Sequence, residues 1–215
     1  MKIKSFLGGF DKNFCYLIWC TKTNLASIID PSVSINPILE YIQSNNLILD
    51  KILITHSHHD HIAYLDDILN QYPNTNVFIN DNSYSFKNYN THRLTNGESF
   101  AIGTEIISAL HTPGHYYDSI CYYNKNRSFL FTGDTIFVGR TGRVVSIKSN
   151  IKALYNSIYN IILKLPKETL IYPGHHYGYK KYVTIKENIS ISKFFNCNNL
   201  NEFKKVMKNF ENSRK

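Results

Sequence analysis

Cysteine is scarce in this sequence: Cys15, Cys20, Cys121 and Cys197 are scattered along 215 residues, and none forms a CxxC pair. That excludes a zinc knuckle or a dithiol redox motif, and it argues for buried free thiols in a reducing, cytoplasmic setting. Long apolar runs are missing too. None approaches the roughly 18 residues of a membrane-spanning helix. The apolar patch in "MKIKSFLGGFDKNFCYLIWC" is broken by Gly8, Gly9, Asp11 and Lys12, too soon for a secretion signal. No Gly/Ser linker and no internal repeat divides the chain. The expected organisation is one domain over residues 1–180, with a short helical extension over 181–215 packed on it.

What is present is a globular composition. Hydrophobic residues make up 43% and aromatics 14%, with 16 Tyr and 13 Phe, so the interior should be rich in rings and the surface aromatics allow a homodimer. The formal charge is +8 and the pI is near 9.2. Much of the excess falls in "KYVTIKENISISKFF" and "FKKVMKNFENSRK", where Lys is interspersed with Asn and Glu. A solvated basic face explains this better than a nucleic-acid surface, and a cationic funnel for an anionic small substrate is a third reading, which the site residues below support.

Short β-branched and aromatic runs predict strands at residues 2–7, 14–19, 25–29 and 52–55, separated by turn signals. Further strands are expected in "NVFIN", "TEIISAL", "SICYY", "RSFLFTG" and "TLIYPG". Helical spacing marks "NPILEYIQSNN", with Asn36 as N-cap and Pro37 in the first turn. It also marks "DHIAYLDDILNQY", "NIKALYNSIYNIILKL" and "NLNEFKKVMKNF". Alternating strands and helices with hairpin-like pairs imply an α/β fold of two mixed sheets flanked by helices.

Four segments, each just past an apolar strand, carry metal-ligating side chains. They are "THSHHDH" with His56, His58, Asp60 and His61, "LHTPGH" with His115, "FTGD" with Asp134, and "YPGHH" with His175. All histidines but His92 fall in these segments. Zinc and iron favour imidazole nitrogen and carboxylate oxygen, and a catalytic ion keeps a position open for water or substrate. His56 and His58, two apart in an extended turn, can point at one ion, while Asp60 and His61 face a second. Asp134 can bridge, and His115 and His175 complete two positions roughly 3.5 to 4 Å apart. His59 and His176 are expected to point away or sit behind the ligands, and His111 to be structural.

The set HxHxDH at 56–61, the His of "TPGH", the Asp of "FTGD" and the His of "YPGH" resembles the metallo-β-lactamase superfamily. The resemblance implies a four-layer αβ/βα sandwich with two divalent ions, zinc first and iron or manganese as alternatives, at one edge between the sheets. It places Asp30 of "IIDP" behind the ligands. "LFTGDTIFVGRTGR" and "IYPGHHYG" are most similar to the glyoxalase II (hydroxyacylglutathione hydrolase) branch. That branch implies hydrolysis of a glutathione-type thioester by activated water, with Arg143 and Tyr177 holding an anionic thiol carrier and Asp60 orienting the water. Two departures stand out: Val145 occupies a position where a second aromatic contact is expected, and the chain has no room for that branch's C-terminal helical domain. The tail "ENISISKFFNCNNLNEFKKVMKNF" is instead similar to the persulfide dioxygenase branch. There one iron would be held by His56, His115 and Asp134. A nuclease of the same superfamily is a weaker reading, because such members carry an additional large domain.

Overall fold

A computed structural model describes residues Met1 to Arg214. Six strands form a first sheet in chain order: β1 (Lys2–Gly8), β2 (Asn13–Trp19), β3 (Leu25–Ile29), β4 (Ile48–Leu53), β5 (Asn76–Asn80) and β6 (Thr91–Leu94). The first three are antiparallel and β3 through β6 are parallel. A second sheet holds β7 (Ser99–Ile102), β8 (Glu105–His111), β9 (Ile120–Asn124) and β10 (Phe129–Gly133). A short ribbon, β11 (Ile136–Phe137) with β12 (Arg140–Thr141), follows β10. Then β13 (Leu170–Pro173) pairs parallel to β10, and β14 (Val183–Thr184) closes the sheet edge.

Two-sided burial follows from the side-chain period of 2. In β2 every residue is buried. Cys15, Leu17 and Trp19 face a layer formed with helices α1 (Asn36–Ser44) and α2 (Leu65–Gln71), whereas Phe14, Tyr16 and Ile18 face the second sheet. Strand β9 repeats the division, with Ile120 and Tyr122 between the sheets and Cys121 and Tyr123 outward. That outer side is covered by α3 (Ile151–Asn156), α4 (Ile185–Ile191) and α5 (Leu200–Asn212). The result is the four-layer α/β sandwich. The segment after residue 180 supplies β14 as well as helices, so it adds a strand to the sheet besides packing on it. All four cysteines are buried and free. No helix among the described residues is long and apolar enough to cross a membrane.

Four local expectations are corrected. The fourth strand runs Ile48–Leu53 rather than 52–55, so Ile54 and Thr55 already belong to the turn that bears the histidines. Asn36 is the first helical residue and Ile35 the cap, with no side-chain cap bond. The helix expected from Asp60 is split: a 3-10 turn covers His59–His61 and α2 begins at Leu65. Between them the Tyr64 amide donates to Pro31 O at 2.9 Å instead of continuing a helical ladder, which frees Asp60 and His61 to face inward. Likewise "NIKALYNSIYNIILKL" is α3 followed by a π turn at Ser157–Ile161 and a 3-10 turn at Ile162–Lys164. Ser157 Oγ donates to Pro113 O at 2.7 Å where the widening begins.

Tyr122 ties the layers at their centre. Its side chain is wholly buried, and its hydroxyl lies 2.8 Å from Ile54 O, just past β4, and 3.2 Å from Phe78 O on β5. Tyr122→Phe should therefore lower stability by about 1–3 kcal/mol in denaturant titration without altering the fold, because it leaves buried acceptors short of a donor. An unchanged unfolding midpoint would remove this bond from the account.

Candidate metal centre

The ligand-bearing residues follow the C-terminal ends of β4, β8, β10 and β13, and the parallel pairing of β10 with β13 carries Asp134 and His175 to the same edge. Close backbone approach there requires glycine. A Cβ on Gly174 would lie 2.5 Å from Asp134 Oδ1 and 2.7 Å from His61 Cε1. Gly133, at φ +47, turns the chain so that Asp134 leaves the strand beside Thr55.

The side chains converge in two groups. His56 Nε2 lies 2.9 Å from His58 Nδ1, and His115 Nε2 lies 3.1 Å from that same nitrogen. On the other side His61 Nε2 is 3.2 Å from His175 Nε2, and Asp60 Oδ2 is 3.3 Å from His175 Nε2. Asp134 stands between the groups: Oδ1 is 3.2 Å from His61 Nε2 and 3.4 Å from His175 Nε2, and Oδ2 is 3.5 Å from His115 Nε2. Three overlapping triads result, namely His56/His58/His115, His56/His61/Asp134 and Asp60/His61/His175.

The opposite ring nitrogens are occupied, which fixes how the imidazoles face. His61 Nδ1 meets Asp30 Oδ2 at 2.8 Å, His175 Nδ1 meets Asp11 O at 2.8 Å, and His115 Nδ1 meets Arg143 O at 2.9 Å. His56 Nδ1 lies 3.2 Å from Thr55 Oγ1, which itself donates to Asp30 Oδ2 at 2.6 Å. With Nδ1–H donating outward, each Nε2 presents a lone pair to the centre. Lone pairs facing one another at about 3 Å call for a cation between them. The buried Asp134 Oδ1 accepts no hydrogen bond despite its two imidazole neighbours, so the donor set fits divalent metal.

Asp30 is the hub behind the ligands. It is 2% exposed and adopts φ 49, and its carboxylate takes the Thr55 amide at 2.7 Å, the Thr55 hydroxyl and His61. Asp118, fully buried, accepts from the Ser57 amide and from Ser83 Oγ and braces the same turn. Asn13 Nδ2 donates to Asp60 Oδ2 at 2.9 Å. Burial opposes ionisation of Asp134 and Asp60, but the surrounding imidazoles hold both well below the usual carboxylate range. Burial also depresses His56 and His58, the latter to about 4. It works against His175 too, yet Asp134 and Asp60 hold that ring up at about 9, and Asp134 and Asp30 raise His61.

A cavity of about 210 Å³ opens onto the centre, lined by His58, His115, His175, Asp60 and Asp134 on one side and Arg140, Arg143, Val145, Tyr177 and Arg214 on the other. Arg143 lies in it with Nε and Nη2 bound to Glu211 of α5, the latter at 2.7 Å. Tyr177 donates to Asp11 Oδ2 at 2.6 Å and stacks on His175. Arg140, Asp118, Asn13 and Glu211 were not singled out from the sequence, since each meets partners that no local motif marks. Of the remaining histidines, His59 is exposed beside Phe10, His176 stacks on Phe14, His111 bonds Tyr117 O and His92 pairs with Glu98. None of the four belongs to a metal-holding triad.

Comparison with known proteins agrees with this geometry. A family model described as the metallo-beta-lactamase superfamily matches residues 8–175. The probable hydroxyacylglutathione hydrolase glo2 of Schizosaccharomyces pombe is 34% identical over 174 residues, covering 79% of this chain and 66% of that protein. The hydroxyacylglutathione hydrolase of Pseudoalteromonas translucida is 36% identical over 172 residues, 79% of this chain and 63% of that one. The chain thus spans slightly less than two thirds of the length of these two relatives. The probable polyketide biosynthesis zinc-dependent hydrolase BaeB of Bacillus velezensis is 33% identical, covering 78% and 75%. Among solved structures, ETHE1 from Myxococcus xanthus superposes with a TM-score of 0.88 at 28% identity, over 98% of this chain and 91% of that one. Fold, ligand clusters and sequence agree that this chain belongs to the metallo-β-lactamase superfamily, with clustered side chains that could hold two metal ions.

Proposed function

We propose that the protein hydrolyses a thioester of the hydroxyacylglutathione type. The observation that carries this reading is the joining of two ligand groups by Asp134 directly beneath a cavity with a cationic rim. Its likeness to hydroxyacylglutathione hydrolases supports the choice of substrate. His56, His58 and His115 would hold one ion and Asp60, His61 and His175 the other, with Asp134 shared. When bound, two divalent ions supply Lewis acidity toward a carbonyl and toward water. Zinc is the first choice because imidazole and carboxylate suit it, with iron or manganese as alternatives.

The chain's own residues then have separable tasks. Asp30 and Thr55 set the imidazole tautomers, so the Nε2 lone pairs of His56 and His61 stay aimed at the centre. Asp60, held by Asn13, would orient the water or relay its proton. Activated water rather than a side chain would be the nucleophile in this reading. Arg143 and Tyr177 would contact an anionic small-molecule carrier derived from a thiol.

A second reading is mononuclear iron oxidation of glutathione persulfide by O₂ at His56, His115 and Asp134. It is favoured by the C-terminal segment, whose sequence resembles that branch. Purification without added metal, followed by metal analysis, thioester cleavage and O₂ uptake assays, separates the two. We expect cleavage of S-D-lactoylglutathione; O₂ consumption on the persulfide with no thioesterase activity would overturn the hydrolytic reading.

The shared carboxylate gives a second expected outcome. Asp134→Ala should lose metal and turnover together, and retention of both would remove the bridge.

The titration pattern gives a third. In protein stripped by chelation, His175 stays protonated below pH about 9 and His61 is raised as well, so an ion at that position must displace protons. His56 and His58 are already neutral near pH 7. Calorimetric zinc titrations at pH 6 and pH 8 should therefore show one ion whose affinity climbs with pH and whose binding releases protons, more steeply than for the ion at His56 and His58. Identical pH dependence for both ions would contradict the ligand division.

A further inference from the structure

Arg140 is a cation with an aromatic cradle and no counter-charge. Its guanidinium carbon lies 3.7 Å from the centroid of Tyr177, 5.3 Å from that of Phe210 and 5.4 Å from that of Phe137. Its Nε is buried without a hydrogen-bond partner. Among the described residues no carboxylate comes within ion-pair distance of it, although Asp11, Asp134 and Arg214 share its cavity. The neighbouring Arg143 is different: Glu211 fills two of its three nitrogens, so that pair brings donors to the cavity but little net charge.

The mounting of Arg140 is rigid. It begins β12, and the turn before it is gripped by Asn188 of α4, which is 1% exposed. Asn188 Oδ1 accepts the Gly139 amide at 2.7 Å, while its Nδ2 donates to Phe137 O at 2.9 Å. The stacking ring is pinned in turn by the Tyr177 hydroxyl on Asp11. A guanidinium centred 3.7 Å over a ring and lining the cavity above the ligand cluster offers its remaining donors to a carboxylate without having to be ordered first.

We infer that Arg140, backed by Tyr177, is the anion anchor of this cavity and binds a carboxylate of the thiol carrier. This rests on the thioester reading for the identity of the carrier but not for the existence of the anchor. The consequence for specificity is that carriers lacking a carboxylate at this distance from the sulfur bind weakly, while Arg143, already paired with Glu211, adds a donor to the carrier but little net charge.

Zinc-loaded protein titrated by calorimetry tests this without turnover. The probes are S-methylglutathione, which can be neither hydrolysed as a thioester nor oxidised as a persulfide, its dimethyl ester, and glutarate. Arg140→Gln should weaken S-methylglutathione and glutarate by roughly ten- to a hundredfold, leave the ester within about twofold, and keep the zinc content. Arg140→Lys, which retains charge but not the flat fork, should fall between the two. It also keeps the test decisive if the glutamine variant folds poorly. Weakened glutarate binding in the variants, with S-methylglutathione failing to bind even the wild type, would uphold the anchor and overturn the glutathione-type carrier. Wild type and variants behaving alike toward both anions would overturn the anchor.

Discussion

Five imidazoles and two carboxylates are brought to within hydrogen-bonding distance of one another in a pocket largely closed to water. The outward nitrogens of four of them are already committed to Asp30, Thr55, Asp11 and the Arg143 carbonyl, so their inward nitrogens face one another and the carboxylates. Only cations relieve that arrangement. The fold can be understood as what is required to hold such a set together: two sheets buried on both faces, parallel strands ending at a common edge, and glycines where backbone and carboxylate nearly touch.

Asp30 shows how the constraint passes from fold to chemistry. It sits just beyond β3 in a left-handed conformation and takes both the Thr55 amide and the hydroxyl, which pins the turn leaving β4. The same carboxylate faces His61, so one buried acid sets the strand exit and the orientation of a ligand. From the other side Asp118 and Asn13 hold the Ser57 amide and Asp60. A buried polar network of this kind is rigid when its members are satisfied, and among its carboxylate oxygens Asp134 Oδ1, aimed at the centre, lacks a protein partner.

The substrate side is built differently. Its cationic rim consists of Arg140 of β12, Arg143 and Arg214, the last just beyond α5, and α5 backs the first two through Phe210 and Glu211, so the C-terminal helices support the site as well as covering the second sheet. Glu211 neutralises Arg143 while Arg140 lies unpaired on Tyr177, and this division of two similar arginines gives the cavity its charge. Carriers that meet the rim would be held with the reacting carbonyl over the metal centre.

The sequence by itself was informative wherever chemistry is written in short spacing. HxHxDH, the "TPGH", "FTGD" and "YPGH" turns and the two-sided apolar strands marked the fold class and the residues that the structure collects, because a ligand set must lie at strand ends and a sandwich strand must be apolar on both faces. Local conformation at the site was less legible: helical spacing from Asp60 onward concealed the break before Leu65, which exists because the Tyr64 amide bonds to Pro31. Tertiary structure alone decided the rest. Asn13 with Asp60 is a contact across 47 residues, Ser57 with Asp118 across 61, and Arg143 with Glu211 across 68. Such pairings arise from how the layers close, and no local pattern encodes them. That is why Arg143 stood out from its motif, while its neutralisation and the open charge of Arg140 emerged only once α5 was folded against the site.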